Sequence, residues 1–325
     1  MDKIGSTMSS DTLEILGKYG KEEIAILYVA KYQGKILEFV ESVQPPITRD
    51  EKWVLILSTL YGCPMKCLMC DSGDYYHGYV TKEAMLAQLD HMISNRFPEK
   101  KIDVKKLKIQ FARMGEPALN PDVIPLLREL PYIYQAPGLL PCVSTVAPVQ
   151  ASDFFDQLLK VKNNLYSNGQ FQLQFSLHSS DPDERKKWIP KEIWSFSEIA
   201  KFGERWYVEG DRKITLNFAV AEDSIIEPTK IAEFFSPNKF LIKLTPINPT
   251  NNAVMFELNS GITEDNKHDL KLAKRFRSLG FEVIVSVGEL EENKIGSNCG
   301  QKASEFVDGK VRIKQNYSSQ DYTLE

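Results

Sequence analysis

The chain has no apolar run long enough to cross a membrane, and its amino terminus, MDKIGSTMSS, has no signal-type hydrophobic segment. Both absences point to a cytoplasmic protein with no membrane partner. An excess of one charge is also lacking: 40 basic residues face 44 acidic ones, a formal net charge of −4. That balance implies no global attraction to nucleic acid. Basic residues do gather in EKKIDVKKLK and DERKKW, and a solvated surface is the plainer reading of each. No internal repeat or low-complexity stretch divides the chain. Cysteine is scarce, five in 325 residues, and an odd number with three clustered is a poor basis for disulfides. What remains is ordinary globular material, 42% hydrophobic and 26% charged, enough for one large core or two smaller ones.

The order of elements carries the fold. DTLEILGKYG reads as a short amphipathic helix. EIAILYVAKYQGKILEFVESV reads as a hairpin turning at Gln33-Gly34. WVLILST is a buried strand that runs into a cysteine-bearing loop, and TKEAMLAQLDHMISNR has helical periodicity. Strand and helix then alternate: LKIQFAR, DVIPLLREL, LLPCVST, SDFFDQLLKVKNN, FQLQFSL, EIWSFSEIAKFGERW, KITLNFAV, PTKIAEFF, FLIKLTP and EDNKHDLKLAKRFRSLG. A last strand, FEVIVSV, precedes a glycine-bearing loop and a polar tail. Six βα repeats predict an α/β fold, a partial (β/α)6 barrel, since six are too few for the closed eight-fold barrel. A small amino-terminal helix and hairpin extension would occupy residues 1–50, the barrel 51–290, and the loop and tail 291–325.

The unusual segments share a position. GCPMKCLMCDSG follows the first barrel strand, MGEP the second, and STVAP, SLHS and INP end the third, fourth and sixth. Parallel βα barrels place their active sites at the carboxyl ends of their strands, so these segments would meet at one mouth.

Cys63, Cys67 and Cys70 are spaced C-x3-C-x2-C. Thiolates at that density hold soft metals or iron–sulfur clusters. A zinc held by these three and His77 fits the spacing. However, zinc loops usually sit in small metal-dependent domains, whereas this loop interrupts a large barrel. A 4Fe–4S cluster on three thiolates leaves one iron open to a ligand that offers an amino and a carboxylate group.

The spacing, on the loop after the first strand of a partial barrel, resembles the radical S-adenosylmethionine (SAM) superfamily. The closer likeness is to its class A methylases, which methylate C2 or C8 of adenine in 23S ribosomal RNA and, in one branch, tRNA. LSTLYGCPMKCLMCDSG, RMGEPALN, VSTVAP, FSLHSSDPDERKKWIP, TPINP and GSNCGQ follow that family's order over roughly residues 35–310. The resemblance implies a 4Fe–4S cluster on Cys63, Cys67 and Cys70, with the SAM methionine on the open iron. It implies cofactor contacts at Gly115, Glu116, Ser144, Ser176, Leu177, His178 and Asn248. Cys299 matches the cysteine that is itself methylated and then carries the carbon to the ring as a radical. Glu41, in VESV, matches a proposed proton acceptor. A reductant such as flavodoxin or ferredoxin is implied, with RNA or a nucleobase-containing small molecule as substrate.

The residues also admit plainer readings. Ser144 and Ser176 could satisfy strand-end backbone groups. His178 could be a hydrogen-bonded core histidine, and Glu41 a solvent-facing carboxylate. Cys142 reads as a small buried hydrophobe. Cys299, between Gly296 and Gly300, lies in a polar loop where a thiolate could reach a sulfonium methyl. Two features depart from the family. Its second cysteine, seven residues before the first cluster ligand, is Ile56 here, and its amino-terminal helical domain has no counterpart in this sequence. The departures leave room for a non-methylating radical enzyme acting on a smaller substrate, with Cys299 as radical or adduct carrier. They also leave room for a non-catalytic cluster or zinc module.

Overall fold

The computed structural model describes residues 12–263, 265–287, 295, 300–308 and 322–324. Three antiparallel strands come first: β1 (Glu14–Lys21), β2 (Ala25–Tyr32) and β3 (Lys35–Ser42). The β2–β3 turn is the expected one. Gln33 and Gly34 both have positive φ, 48° and 79°, the two-residue turn whose twist matches a hairpin. β4 (Trp53–Leu57) pairs antiparallel with β3 and opens the parallel half of the sheet. A separate small hairpin, β5 (Leu60–Gly62) and β6 (Tyr76–Tyr79), brackets the cysteine loop.

Six further strands follow β4 in parallel: β7 (Leu107–Phe111), β8 (Leu139–Thr145), β9 (Gln172–Ser176), β10 (Ile214–Val220), β11 (Phe240–Pro246) and β12 (Val283–Val285). Helices separate them: α1 (Lys82–Ser94), α2 (Val123–Ile133), α3 (Ser152–Leu165), α4 (Pro182–Trp188), α5 (Phe196–Trp206), α6 (Pro228–Phe234), α7 (Asn251–Met255) and α8 (Lys271–Ser278). Their starts are written locally. The Thr81 side chain caps α1, and Ser195 with Glu198 forms a reciprocal capping box on α5. Apolar residues such as Ile109, Phe111, Val143 and Phe175 join the core under the helices. The alternate residues of the same strands face inward and are largely polar. The result is an open α/β barrel of six βα repeats and a closing strand, as the alternation predicts. Among the described residues no helix is long and apolar enough to cross a membrane.

Three expectations are corrected. The segment DTLEILGKYG is a strand, because its groups pair with β2 from Glu14↔Lys31 to Lys21↔Ala25. A bulge between Ile15 and Gly17 interrupts its alternation, which is why the apolar spacing imitates a helix. In EDNKHDLKLAKRFRSLG the helix starts only at Lys271. The tail is not merely polar loop. It contains helix α9 (Gln301–Asp308) and strand β13 (Thr323–Leu324), which covers the β1 edge through Lys18↔Leu324.

Candidate cofactor site

The cysteine loop is held in place by a distant part of the chain. Within it, the Cys70 N–H donates to the Cys67 carbonyl at 3.0 Å, and Cys63 N–H to Tyr75 at 3.0 Å. Gly73 lies so close to Lys66 that a Cβ there would sit 2.8 Å from the Lys66 Cα. The segment after β11 then clasps the loop. Thr250 Oγ1 donates to the Met69 carbonyl at 2.7 Å, and Asn252 Nδ2 to the Cys70 carbonyl at 3.0 Å. The Asp71 carboxylate accepts the Asn251 and Asn252 N–H groups at the start of α7, at 3.0 and 2.9 Å. Burial pushes the Asp71 pKa up to about 6.

The strand ends converge as predicted. A cavity of about 310 Å³ is lined by Cys63, Cys67 and Cys70 together with Gly115, Glu116, Ser144, Ser176, His178 and Asn248. Gly115 is required where it stands: its φ is +98°, and a Cβ would lie 2.5 Å from the Leu60 side chain. Neither the Ser144 nor the Ser176 hydroxyl hydrogen-bonds a described residue, so neither serves to satisfy a strand end. Both remain open to a ligand.

Glu116 and His178 are engaged by the protein as well. Glu116 accepts from the Ala118 and Val146 N–H groups at 3.0 and 2.9 Å and from the Thr145 hydroxyl, tying the MGEP turn to the end of β8. Burial pushes its pKa up to about 7, against the pull of those three donors. His178 has φ +64° and accepts the Ala219 N–H on Nδ1 at 3.2 Å. Burial, and then the charge of Arg185, lower its pKa to about 4. A neutral imidazole that accepts on Nδ1 carries its proton on Nε2, so this ring presents a donor.

Sequence reasoning missed several contributors. Asn217, on β10, lines the cavity, is only 8% exposed, and its Oδ1 has no hydrogen-bond partner among the described residues. A buried amide oxygen left open is costly unless a ligand donates to it. Arg113 also lines the cavity and pairs with the fully buried Glu38 at 2.8 Å. Glu38 further accepts the Gly300 and Ala303 N–H groups at 2.6 and 2.8 Å, capping α9 from another strand. Arg113 directly precedes MGEP and Asp71 directly follows Cys70, so each had a local signal. Glu38 had none.

Other expected residues lie elsewhere. Glu41 is neither solvent-facing nor at the cavity. It accepts from Tyr28 at 2.8 Å, Trp53 Nε1 at 3.1 Å and Arg96 Nε at 3.2 Å, on the helix side of β3. The Leu177 side chain packs into the main core. His77 is exposed on β6 and outside the cavity lining, so the structure does not bring it to the three cysteines. Ile56 packs with Ile24, Ala25, Leu27, Val40 and Ile295, an apolar seat that a cysteine would fill less well. Cys142 lies two strands from Ile56 in the row Ile56↔Gln110↔Cys142. It is buried but belongs to no apolar cluster: its thiol donates to Leu140 O at 3.6 Å and Gln172 Oε1 at 3.7 Å. Cys299 is outside the described residues.

The donor set fits the expected cofactors. Three thiols in one cavity suit iron, and the open Ser144, Ser176 and Asn217 groups, with the His178 donor, suit a polar zwitterionic nucleoside. No family model matches the chain. Its sequence is 25% identical over 277 residues to a probable dual-specificity RNA methyltransferase RlmN of Thermotoga sp. (strain RQ2), covering 81% of this chain and 71% of that one. It is 26% identical over 258 residues to ribosomal RNA large subunit methyltransferase N of Nitrosopumilus maritimus, covering 78% and 68%. A radical SAM methyltransferase from Sphaerobacter thermophilus shares the fold with a TM-score of 0.69, at 20% identity, covering 90% of this chain and 81% of that one. The fold is the one seen in that radical SAM methyltransferase, and the donor set of the cavity suits a 4Fe–4S cluster and SAM. In sequence the chain resembles RNA methyltransferases of the RlmN type.

Proposed function

We propose that this chain transfers a SAM-derived carbon to an unactivated sp2 carbon, with adenine in RNA as the substrate and Cys299 as the carrier. The observation that carries the reading is the cavity where Cys63, Cys67 and Cys70 meet the ends of five other strands. In this reading Cys63, Cys67 and Cys70 would hold a 4Fe–4S cluster, with SAM beside it in the same cavity. When bound, the cluster supplies an electron, and SAM supplies a methyl group and a hydrogen-abstracting radical. Ser144, Ser176, Asn248 and the Nε2–H of His178 orient the cofactor, and Glu116 keeps the MGEP turn against β8. Cys299 would be the nucleophile that accepts a methyl group from SAM, with S-adenosylhomocysteine as the leaving group. The names of the relatives, RNA methyltransferases, support RNA as substrate. The reductant is a flavodoxin or ferredoxin, and the compartment is the cytoplasm.

Ile56 favours a second reading, a radical enzyme that does not complete methyl transfer. Isoleucine offers neither a proton acceptor nor a sulfur to release a carbon bound to Cys299. One experiment separates the readings. Mass spectrometry of anaerobically purified protein should find a methyl group on Cys299, and Cys299→Ala should lose methyl transfer. Active wild-type protein with unmethylated Cys299 would select the second reading. Transfer at the wild-type rate by Cys299→Ala would remove the carrier role.

A further inference from the structure

Glu38 joins parts of the chain that the proposed reaction has to bring together. Its carboxylate is fully buried on β3, pairs with Arg113 at 2.8 Å and accepts the Gly300 and Ala303 N–H groups at 2.6 and 2.8 Å. Its own carbonyl accepts the Ser58 hydroxyl, and Ser58 Oγ in turn accepts the Met114 N–H at 3.2 Å. Glu38 therefore holds the start of the MGEP turn twice, by Arg113 through its side chain and by Met114 through its backbone. The same side chain holds the start of α9.

Gly300 explains why that hold comes from another strand. It directly precedes α9, where a helix usually carries its own capping side chain. A Cβ at this residue, whose φ is +80°, would collide with the Ser72 amide nitrogen and Oγ. Ser72 is two residues past Cys70, so the glycine lets the start of α9 lie against the cysteine loop and forgoes a cap of its own. Glu38 replaces the cap, and its negative charge suits the amino terminus of a helix. A glutamine there would turn its NH2 group toward one of the converging donors. Cys299 is joined to Gly300 by one peptide bond, so whatever fixes Gly300 fixes one end of Cys299.

We propose that Glu38 is the positioning residue for methyl transfer to Cys299. It anchors the start of α9 to the cysteine loop and the MGEP turn, with Arg113 as its counter-charge. The proposal rests on the carrier role given to Cys299 under Proposed function. In that step the bond from the Cys299 sulfur to the methyl carbon forms, the sulfonium–methyl bond breaks, and its electron pair leaves on S-adenosylhomocysteine. Glu38 takes no part in the bond changes. It contributes alignment, and a misplacement of about 1 Å slows a reaction on the order of 100-fold.

The test follows methyl gain on Cys299 by mass spectrometry, in the full chain with reconstituted cluster and saturating SAM. Glu38→Gln should slow methylation roughly 10- to 100-fold while SAM affinity stays near the wild-type value. It should also speed hydrogen exchange at the Gly300 and Ala303 amides roughly 10-fold, a readout that needs no turnover. Gly300→Ala should slow methylation too, although it leaves the Glu38–Arg113 pair in place. In the double variant Glu38→Gln/Arg113→Met the unfolding midpoint should recover, because the charge opposite residue 38 is gone as well, yet methylation should stay slow. Methylation restored along with the midpoint would overturn the proposal, since Glu38 would then merely neutralise Arg113. So would methylation at the wild-type rate in Glu38→Gln, or unchanged exchange at both amides. Wild-type protein whose Cys299 takes no methyl group from SAM would refute the carrier role itself, and this role with it.

Discussion

On the parallel side of the sheet, Ser144, Ser176 and the Asn217 amide oxygen face a cavity without hydrogen-bond partners among the described residues. On the antiparallel side, β3 buries two carboxylates whose partners are all in place. Glu41 holds Tyr28, Trp53 and Arg96, and Glu38 holds Arg113 and the first N–H groups of α9. A buried polar group whose lone pairs are used by the protein maintains a shape. One whose lone pairs are open awaits a ligand. The hairpin is therefore a brace, and the parallel strands carry the binding surface.

The contrast can be broken most directly at the cysteine loop. Cys63→Ala, Cys67→Ala or Cys70→Ala should reduce iron and sulfide from about four each per chain to near none and abolish SAM cleavage. Stoichiometric zinc without sulfide in the wild type would refute the cluster. On the brace, Glu41→Ala should cost about 3 kcal/mol of unfolding free energy by stripping a buried ion pair, with SAM affinity unchanged. Lost SAM affinity in a stable Glu41→Ala protein would return Glu41 to the site. In the cavity, Ser176→Ala and Asn248→Ala should do the reverse. They should weaken SAM binding by roughly 1–3 kcal/mol and leave the unfolding midpoint nearly unchanged. Unchanged affinity in both would mean that SAM lies elsewhere.

The pH dependence sharpens the contrast, because the cavity side contains groups held in their neutral forms. The folded-state pKa of His178, about 4, is below its ordinary value of 6.5. The unfolded chain thus binds the extra proton, and stability is lost as pH falls from 6.5 toward 4. Glu116 has the opposite sign. Its pKa is raised from 4.5 to about 7, so its contribution is full below 4.5 and lost as pH rises through 7. Denaturant titrations from pH 4 to 8 should show His178→Gln losing less stability than wild type on the acid side and Glu116→Gln losing less on the alkaline side. Identical profiles for wild type and both variants would reject this assignment. The smallest effect is expected at His77, where His77→Ala should leave iron content unchanged. Loss of metal in that variant would revive the zinc reading.

Much of the parallel half was legible because buried parallel strands read as short apolar runs and their ends carry the odd residues. LLPCVST and FLIKLTP coincide with β8 and β11 at both ends. The bulge in β1 defeated pattern reading, since one extra residue shifts the alternation onto a helical spacing. Glu41 was read as the functional carboxylate of β3, yet its neighbour Glu38, on the opposite face, is the one that reaches Arg113 and α9. Sidedness three residues apart depends on the register with β2 and β4, which a single sequence does not contain. Asn217 was invisible for a similar reason. A polar residue in an apolar strand looks like noise until the barrel shows which side it faces.

The clasp on the cysteine loop also sets a clock during synthesis. Thr250, Asn251 and Asn252 grip Met69, Cys70 and Asp71 across 180 to 182 residues of chain. At about 5–20 residues per second, a ribosome that has just made the cysteines needs on the order of ten to thirty seconds to make their clasp. Through that interval the three thiols are on a nascent chain whose loop has no such hold. On the proposed reading, cluster loading would thus be a late event, governed by the arrival of residues 250–252 rather than by the appearance of the cysteines. An arrest anywhere before residue 250 would leave reactive thiols displayed without the segment that organises them.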